Sequence, residues 1–321
     1  MENTGPMKGS YNIYNLMCFR LSHGRLGWRL EKFLSPFLRQ GSEADVLDVH
    51  ICRPSQFPEN LTYDSSGVYK GIRWRLGFDR NSDGRVSAIY FYSMGFTSFL
   101  FLRFVIIPYL KHALIPLGGF YVLGSLFGVK KKVYFLFGFP GVGKSNLALQ
   151  AVSKGGFLLA DGALLAFSDG MIRGLFDEIE LRFHTVRDTI YWSKLSSWKR
   201  LKLHFFEMIS ALTKRRISFN ISVSPAQLGI ERHSMDPEMS VTAVIVLIKE
   251  LKEKQKATFF VQRIMAWNDW YESLYGNCFC VNETVEKNQL RGNINRFLAK
   301  CDLLTFPVGN DFDALISDKN R

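Results

Sequence analysis

At 321 residues, with 47% hydrophobic and 14% aromatic side chains, the chain can hold one large domain or two, and global disorder is excluded. Lys and Arg number 41 against 29 Asp and Glu, a formal net charge of +12 spread along the chain without a basic tail. That balance favours anionic partners and singles out none, so nucleic-acid binding is not expected from charge alone. The five cysteines, Cys18, Cys52, Cys278, Cys280 and Cys301, are odd in number and widely spaced. They read neither as a disulfide framework nor as a zinc pattern, and fit thiols kept reduced in a cytosol, so a cytoplasmic protein is expected.

Residues 1–15 are polar and turn-rich, without the basic stretch and apolar run of a signal peptide. Residues 26–38 have helical apolar spacing. Residues 46–52 alternate apolar and polar side chains, and 67–76 and 85–92 are β-branched and aromatic segments. Asn81-Ser82-Asp83-Gly84 lies between the last two and predicts a hairpin. Residues 96–114 read as a buried helix and 119–126 as a strand. The apolar runs here are broken by Arg103, Lys111, His112, Pro116, Gly118 and Gly119. Neither reaches the ~18 residues of a membrane span, so membrane insertion is not expected. Residues 133–137 form a short continuous apolar run, as expected for a central strand covered on both faces. A glycine-rich loop follows, then a helix over 144–153 stopped by Gly155 and Gly156. Residues 157–160 predict a second apolar strand ending at Asp161.

Further on, Trp198, Leu201, Phe205, Ile209 and Leu212 recur at helical spacing with Lys199, Arg200 and Lys202 between them. The expectation is a helix with its apolar stripe on the core and its basic face in water; docking of an acidic partner is the other reading. Residues 241–248 are another strand candidate. The division expected is a strand-rich region over 1–115, packed on the same core or capping the site, and a nucleotide-binding domain over 116–321.

The chemistry is concentrated in Gly138-Phe139-Pro140-Gly141-Val142-Gly143-Lys144-Ser145, which satisfies G-x-x-x-x-G-K-[ST]. Glycines let the backbone fold around phosphates with its N–H groups pointing inward. The loop opens a helix, whose positive dipole end faces the same anion. Lys144 supplies a point charge to the β- and γ-phosphates, and the Ser145 hydroxyl is placed to ligate Mg²⁺. An apolar strand before and a helix after give the pattern its required context. The expected nucleotide ligands are Gly138, Pro140, Gly141, Val142, Gly143, Lys144, Ser145 and Asn146, with ATP and Mg²⁺ as cofactors.

Such a loop needs a further acidic group to hold the metal or activate the nucleophile. Asp161, at the expected end of the next strand, is the candidate for both, because strand ends converge on the ligand in α/β sheets. No ABC-type signature and no N-K-x-D for guanine follow. The later run 241–248 ends in Lys249-Glu250, a poor second acidic motif.

The stretch GFPGVGKSNLALQAVSKGGFLLADGALLAF, Gly138 to Phe167, resembles the catalytic domain of HPr kinase/phosphorylase and its small kinase-like relatives. In both, the loop leads through a helix and a glycine turn to an apolar strand with Asp at the same interval. The resemblance implies an α/β fold with a mixed sheet, of the phosphoenolpyruvate carboxykinase kind. It also implies a kinase-like phosphotransferase using ATP and Mg²⁺ on a hydroxyl of a protein or small molecule, with Lys144 and Asp161 as catalytic residues and Ser145 and Asp161 on the metal. A homo-oligomer is compatible with it. The family's second Asp is Gly162 here, its strand histidine falls near Leu123, and the residue after Ser145 is Asn146. Glu180, with Glu178 and His184 nearby, could take the part of the family's later Glu. Two readings follow: an active kinase, or a nucleotide-binding regulator or scaffold of the same fold. A nucleic-acid-dependent NTPase rests on net charge only.

Overall fold

The structure is a computed structural model. It describes residues 7–13, 16–23, 30, 34, 38, 47–69, 71–83, 85–95, 100–139, 141–175, 179–187, 189–214, 219–231, 241–247, 255–275 and 283–306. The chain forms two compact units, Met1–Pro116 with Asn268–Glu286, and Leu117–Trp267 with Lys287–Arg321.

The first unit is built on strands β1 (Met7–Ile13), β2 (Met17–His23), β3 (Leu47–Ile51), β4 (Tyr63–Tyr69), β5 (Ile72–Arg80) and β6 (Val86–Ser93). They form one mixed sheet in the order β1-β2-β3-β6-β5-β4, with β3 parallel to both neighbours. Alternate residues on β5 and β6 are buried because one face is covered. Phe19, Leu76, Phe91 and Phe101 lie in that core. A π-helical turn, Leu102–Ile106, leads into helix α1 (Ile107–Leu114). Asn81 builds the expected turn: its side-chain oxygen accepts the N–H groups of Asp83 and Arg85 at 3.1 and 2.9 Å. The segment 67–76 is not one strand. It holds a second hairpin, which reverses through Gly71 at φ 82°. The helix expected over 26–38 lies outside the described residues apart from Leu30 and Leu34, both buried, and Leu38, which is exposed and forms an isolated antiparallel bridge with Tyr11.

The second unit contains β7 (Gly119–Val129), β8 (Lys132–Gly138), α2 (Lys144–Ser153), β9 (Phe157–Phe167), β10 (Ile172–Gly174), β11 (Ile179–Leu181), α3 (Phe183–Val186), α4 (Ser197–Leu212), β12 (Ile221–Val223) and β13 (Ala243–Leu247). Helices α5 (Lys256–Tyr275) and α6 (Glu283–Leu298), each shared with the first unit, precede β14 (Asp302–Phe306). The main sheet runs β10-β9-β7-β8-β13-β14, and β11 and β12 pair separately. Strand β8 is antiparallel to β7 and parallel to β13. Val133 to Gly138 are all buried, as a strand covered on both faces requires. Phe137 packs its ring on Phe260, with centroids 4.4 Å apart.

Two expectations change here. The strand after α2 does not end at Asp161 but continues to Phe167, because β7 pairs along it. The register slips between Leu126 and Phe127, so β9 carries an extra residue at Leu159, and Gly162, back in register with Gly124, takes φ 88°. This is a strand bent in its middle. The stripe of α4 is also turned the other way. Leu203 and Ser210 face the core, whereas Trp198, Leu201, Phe205 and Leu212 are exposed. Among the described residues no helix is long and apolar enough to cross a membrane.

Candidate functional site

Strand β8 delivers the glycine loop at its carboxyl end, in the middle of the main sheet. Gly141 and Gly143 take φ 85° and 98°, values that side-chain-bearing residues rarely adopt. Gly143 caps α2, and its carbonyl accepts the Leu147 N–H at 2.9 Å. The first N–H groups of α2 have no partner within the helix. Helix α2 is anchored from below by Leu147, Ala148, Leu149 and Ala151, all buried in the core.

Lys144 folds back over the loop. Its ammonium donates to the Gly138 and Phe139 carbonyls, both at 3.0 Å. Burial pushes its pKa down to about 8. The Asp161 charge opposes that shift, and the Arg182 and Arg263 charges add to it. Ser145 donates its hydroxyl to Asp161, at 3.0 Å from each carboxylate oxygen. Ser125 is paired with Asp161 across the β7–β9 ladder and also donates its hydroxyl to Oδ1. Asp161 is itself buried, and burial pushes its pKa up to about 6. The two hydroxyls and the Lys144 charge pull it down, and the Glu180 charge pushes it further up. The result is an acidic group that changes charge near neutrality.

Glu180 reaches the same cleft from β11. The Asn220 amide donates to it at 2.7 Å, and the Arg182 Nε donates to the Asn220 oxygen at 2.9 Å. Arg182 also closes on the loop: a methyl group added to Gly141 would come within 3.5 Å of its Nη1. From α5, the Arg263 guanidinium stacks on Phe139 at 4.4 Å and on Trp267 at 5.2 Å from the ring centres. Its Nε is buried without a hydrogen-bond partner, as is the Oδ1 of Asn146. The cleft has a volume of about 200 Å³ and is open to solvent.

Gly141, Gly143, Lys144, Ser145, Asn146 and Asp161 therefore line one cleft, and Leu123, Gly162 and His184 border it. Gly138 is the buried last residue of β8, and Val142 packs against the core. Pro140 and Glu178 lie outside the described residues. Ser125, Arg182, Asn220, Arg263 and Trp267 join the site without having been expected. Ser125 left one mark in the sequence, as a hydroxyl within an apolar strand. The arginines left none, since they come from elements far along the chain.

The donors that converge here are hard oxygens, a hydroxyl and a carboxylate, which suits Mg²⁺ held partly by phosphate. No cluster of three or more His, Cys, Asp or Glu able to hold a metal by itself occurs among the described residues. Neither the comparison with protein-family models nor that with curated proteins returns a match.

Proposed function

We propose that the second unit is a kinase-like phosphotransferase site with a nucleotide-binding fold of the phosphoenolpyruvate carboxykinase and HPr kinase kind. It would use ATP and Mg²⁺ on a hydroxyl of a protein or small molecule. The observation that carries this reading is the Ser145–Asp161 contact, at 3.0 Å to both carboxylate oxygens, beneath a loop that also presents Lys144. A phosphate loop alone binds a triphosphate. A loop serine joined to a buried carboxylate also offers a metal seat and a proton acceptor.

In this reading Lys144 leaves the Gly138 and Phe139 carbonyls for the β- and γ-phosphates. Ser145 and Asp161 would hold Mg²⁺, which would supply positive charge against the transferring group. The acceptor oxygen bonds to the γ-phosphorus as the bridging P–O bond breaks and ADP leaves. Asp161 takes the acceptor's proton. Arg182 adds positive charge at the loop, and most of the rate comes from positioning and charge neutralisation. Glu180, whose charge acts on Asp161, would take the part of the later Glu.

One observation favours a nucleotide-binding regulator instead. Gly162 has no side chain, and Leu123 borders the cleft where the resemblance expects a histidine. Labelled ATP incubated with the protein and cell extract separates the two. The kinase reading expects a labelled acceptor, lost in Asp161→Asn while ATP binding survives. Tight Mg-ATP binding without any label transfer favours the regulator, and absence of ATP binding refutes both.

A further inference from the structure

A second cavity, of about 340 Å³, adjoins the phosphate loop. Asn146, His184 and Thr185 line both this cavity and the first cleft, so the two share a wall at the start of α2. Beyond that wall the second cavity lies between Leu149 and Gln150 of α2 and Ile190 and Tyr191 of the turn after α3. Its two sides are tied together, because the Tyr191 hydroxyl donates to the Leu149 carbonyl at 3.4 Å. Charge separates the two cavities. Lys144, Asp161, Glu180 and Arg182 all line the first. In the second, His184 aside, the side chains lining it among the described residues are uncharged. Ile190 is 63% exposed and leaves apolar surface for a flat ring to cover.

We propose that this second cavity takes the nucleoside of the triphosphate, with adenine read by the carboxamides of Asn146 and Gln150. The proposal rests on the kinase reading of the phosphate loop. A triphosphate with its β- and γ-groups at Lys144 and its metal at Ser145 brings its α-phosphate to the start of α2, where Asn146 follows. The first cleft, about 200 Å³, is smaller than the ~300 Å³ at which small-molecule sites begin, so it holds phosphates and metal but not the whole nucleotide. The second cavity is large enough for the remainder and uncharged where ribose and base are uncharged. The Thr185 hydroxyl has no hydrogen bond among the described residues and stands in the shared wall, where the ribose passes. Asn146 and Gln150 lie one helical turn apart on the same side of α2. The Asn146 Oδ1 is buried without a hydrogen-bond partner, a loss that a ligand N–H relieves. The last torsion of an Asn side chain is broad and two-fold, so the carboxamide can turn either atom to the cavity. A carboxamide sets an acceptor beside a donor, which matches the N6 amine and neighbouring ring nitrogen of adenine. Guanine offers two acceptors on one edge and two N–H donors on another, and the donors call for a carboxylate. No carboxylate lines this cavity among the described residues.

Calorimetric titration of the full chain with Mg-ATP, Mg-GTP and Mg-tripolyphosphate tests this. The parent is expected to bind ATP about tenfold or more tightly than either of the others. Gln150→Glu, an isosteric change, is expected to bring the ATP-to-GTP affinity ratio to about one or below while tripolyphosphate binding changes by less than about threefold. Asn146→Leu is expected to abolish the preference for ATP. On the parent, photolysis of 8-azidoadenosine triphosphate is expected to label a peptide from 146–153 or 184–191. Tripolyphosphate bound as tightly as ATP overturns the proposal and leaves the phosphate-loop reading standing. A preference for ATP that survives both substitutions, a parent that prefers GTP, or a photolabel confined to other peptides also overturns it. Failure to bind any of the three overturns the kinase reading itself, and this proposal with it.

Discussion

Replacing Asp161 by Asn should stabilise the nucleotide-free protein while disabling its site. The buried carboxyl titrates at about 6 instead of 3.8. That is about two units, or about 3 kcal/mol. The direction follows from the raised value. The folded state holds its proton more tightly than the unfolded chain, so stability falls as pH rises from about 4 to about 6, and the full cost is present above that. Asn carries no charge and removes this cost. It also serves the Ser125 and Ser145 hydroxyls less well, a loss of about 1 kcal/mol. The variant should therefore be more stable than the parent by about 2 kcal/mol at pH 8, which for a unit of this size is about 4–8 °C in Tm. At pH 4 the advantage should disappear. Thermal unfolding without nucleotide at the two pH values reads both. Added Mg-ATP should then raise the parent's Tm more than the variant's. A variant no more stable at pH 8, or a gap of the same size at both pH values, refutes the reasoning.

Three further outcomes are expected. Ser125→Ala removes a hydroxyl that holds the Asp161 carboxylate ionised, so the acid limb of Mg-ATP binding should move to higher pH, measured by calorimetric titration across pH 5 to 8. Lys144→Met should leave the fold intact and abolish the thermal shift given by Mg-ATP, since the loop then lacks the cation that meets the phosphates. Gly124→Ala should destabilise the second unit by about 2 kcal/mol in a denaturant titration, because the new methyl group would run into the Phe135 ring and come within 2.6 Å of the Leu136 carbonyl.

The site's first half was legible because its signals are local. A continuous apolar run, a glycine pattern and a helix stop occupy adjacent positions, and β8 and α2 follow them closely. The second half depends on pairing between distant segments. No local signal said that β7 would run beside β9 in a register that puts Ser125 on Asp161, or that Asn220 would tie Glu180 to Arg182. Periodicity failed in a third way on α4. It found the apolar stripe, but a period cannot say which of two apolar faces meets the core, and Leu203 and Phe206 took that place.

The two acidic groups of the cleft stand on different supports. Asp161 belongs to the six-stranded sheet and Glu180 to the separate β11–β12 ribbon. The first is an anvil, held by the long β7 strand whose Ser125 pairs with it. The second rides on a short ribbon of three residues per strand. A substitution in that ribbon retunes the charge facing Asp161 while leaving the glycine loop and its strand as they are, so the acidity of the cleft can drift by changes far from Lys144 in sequence.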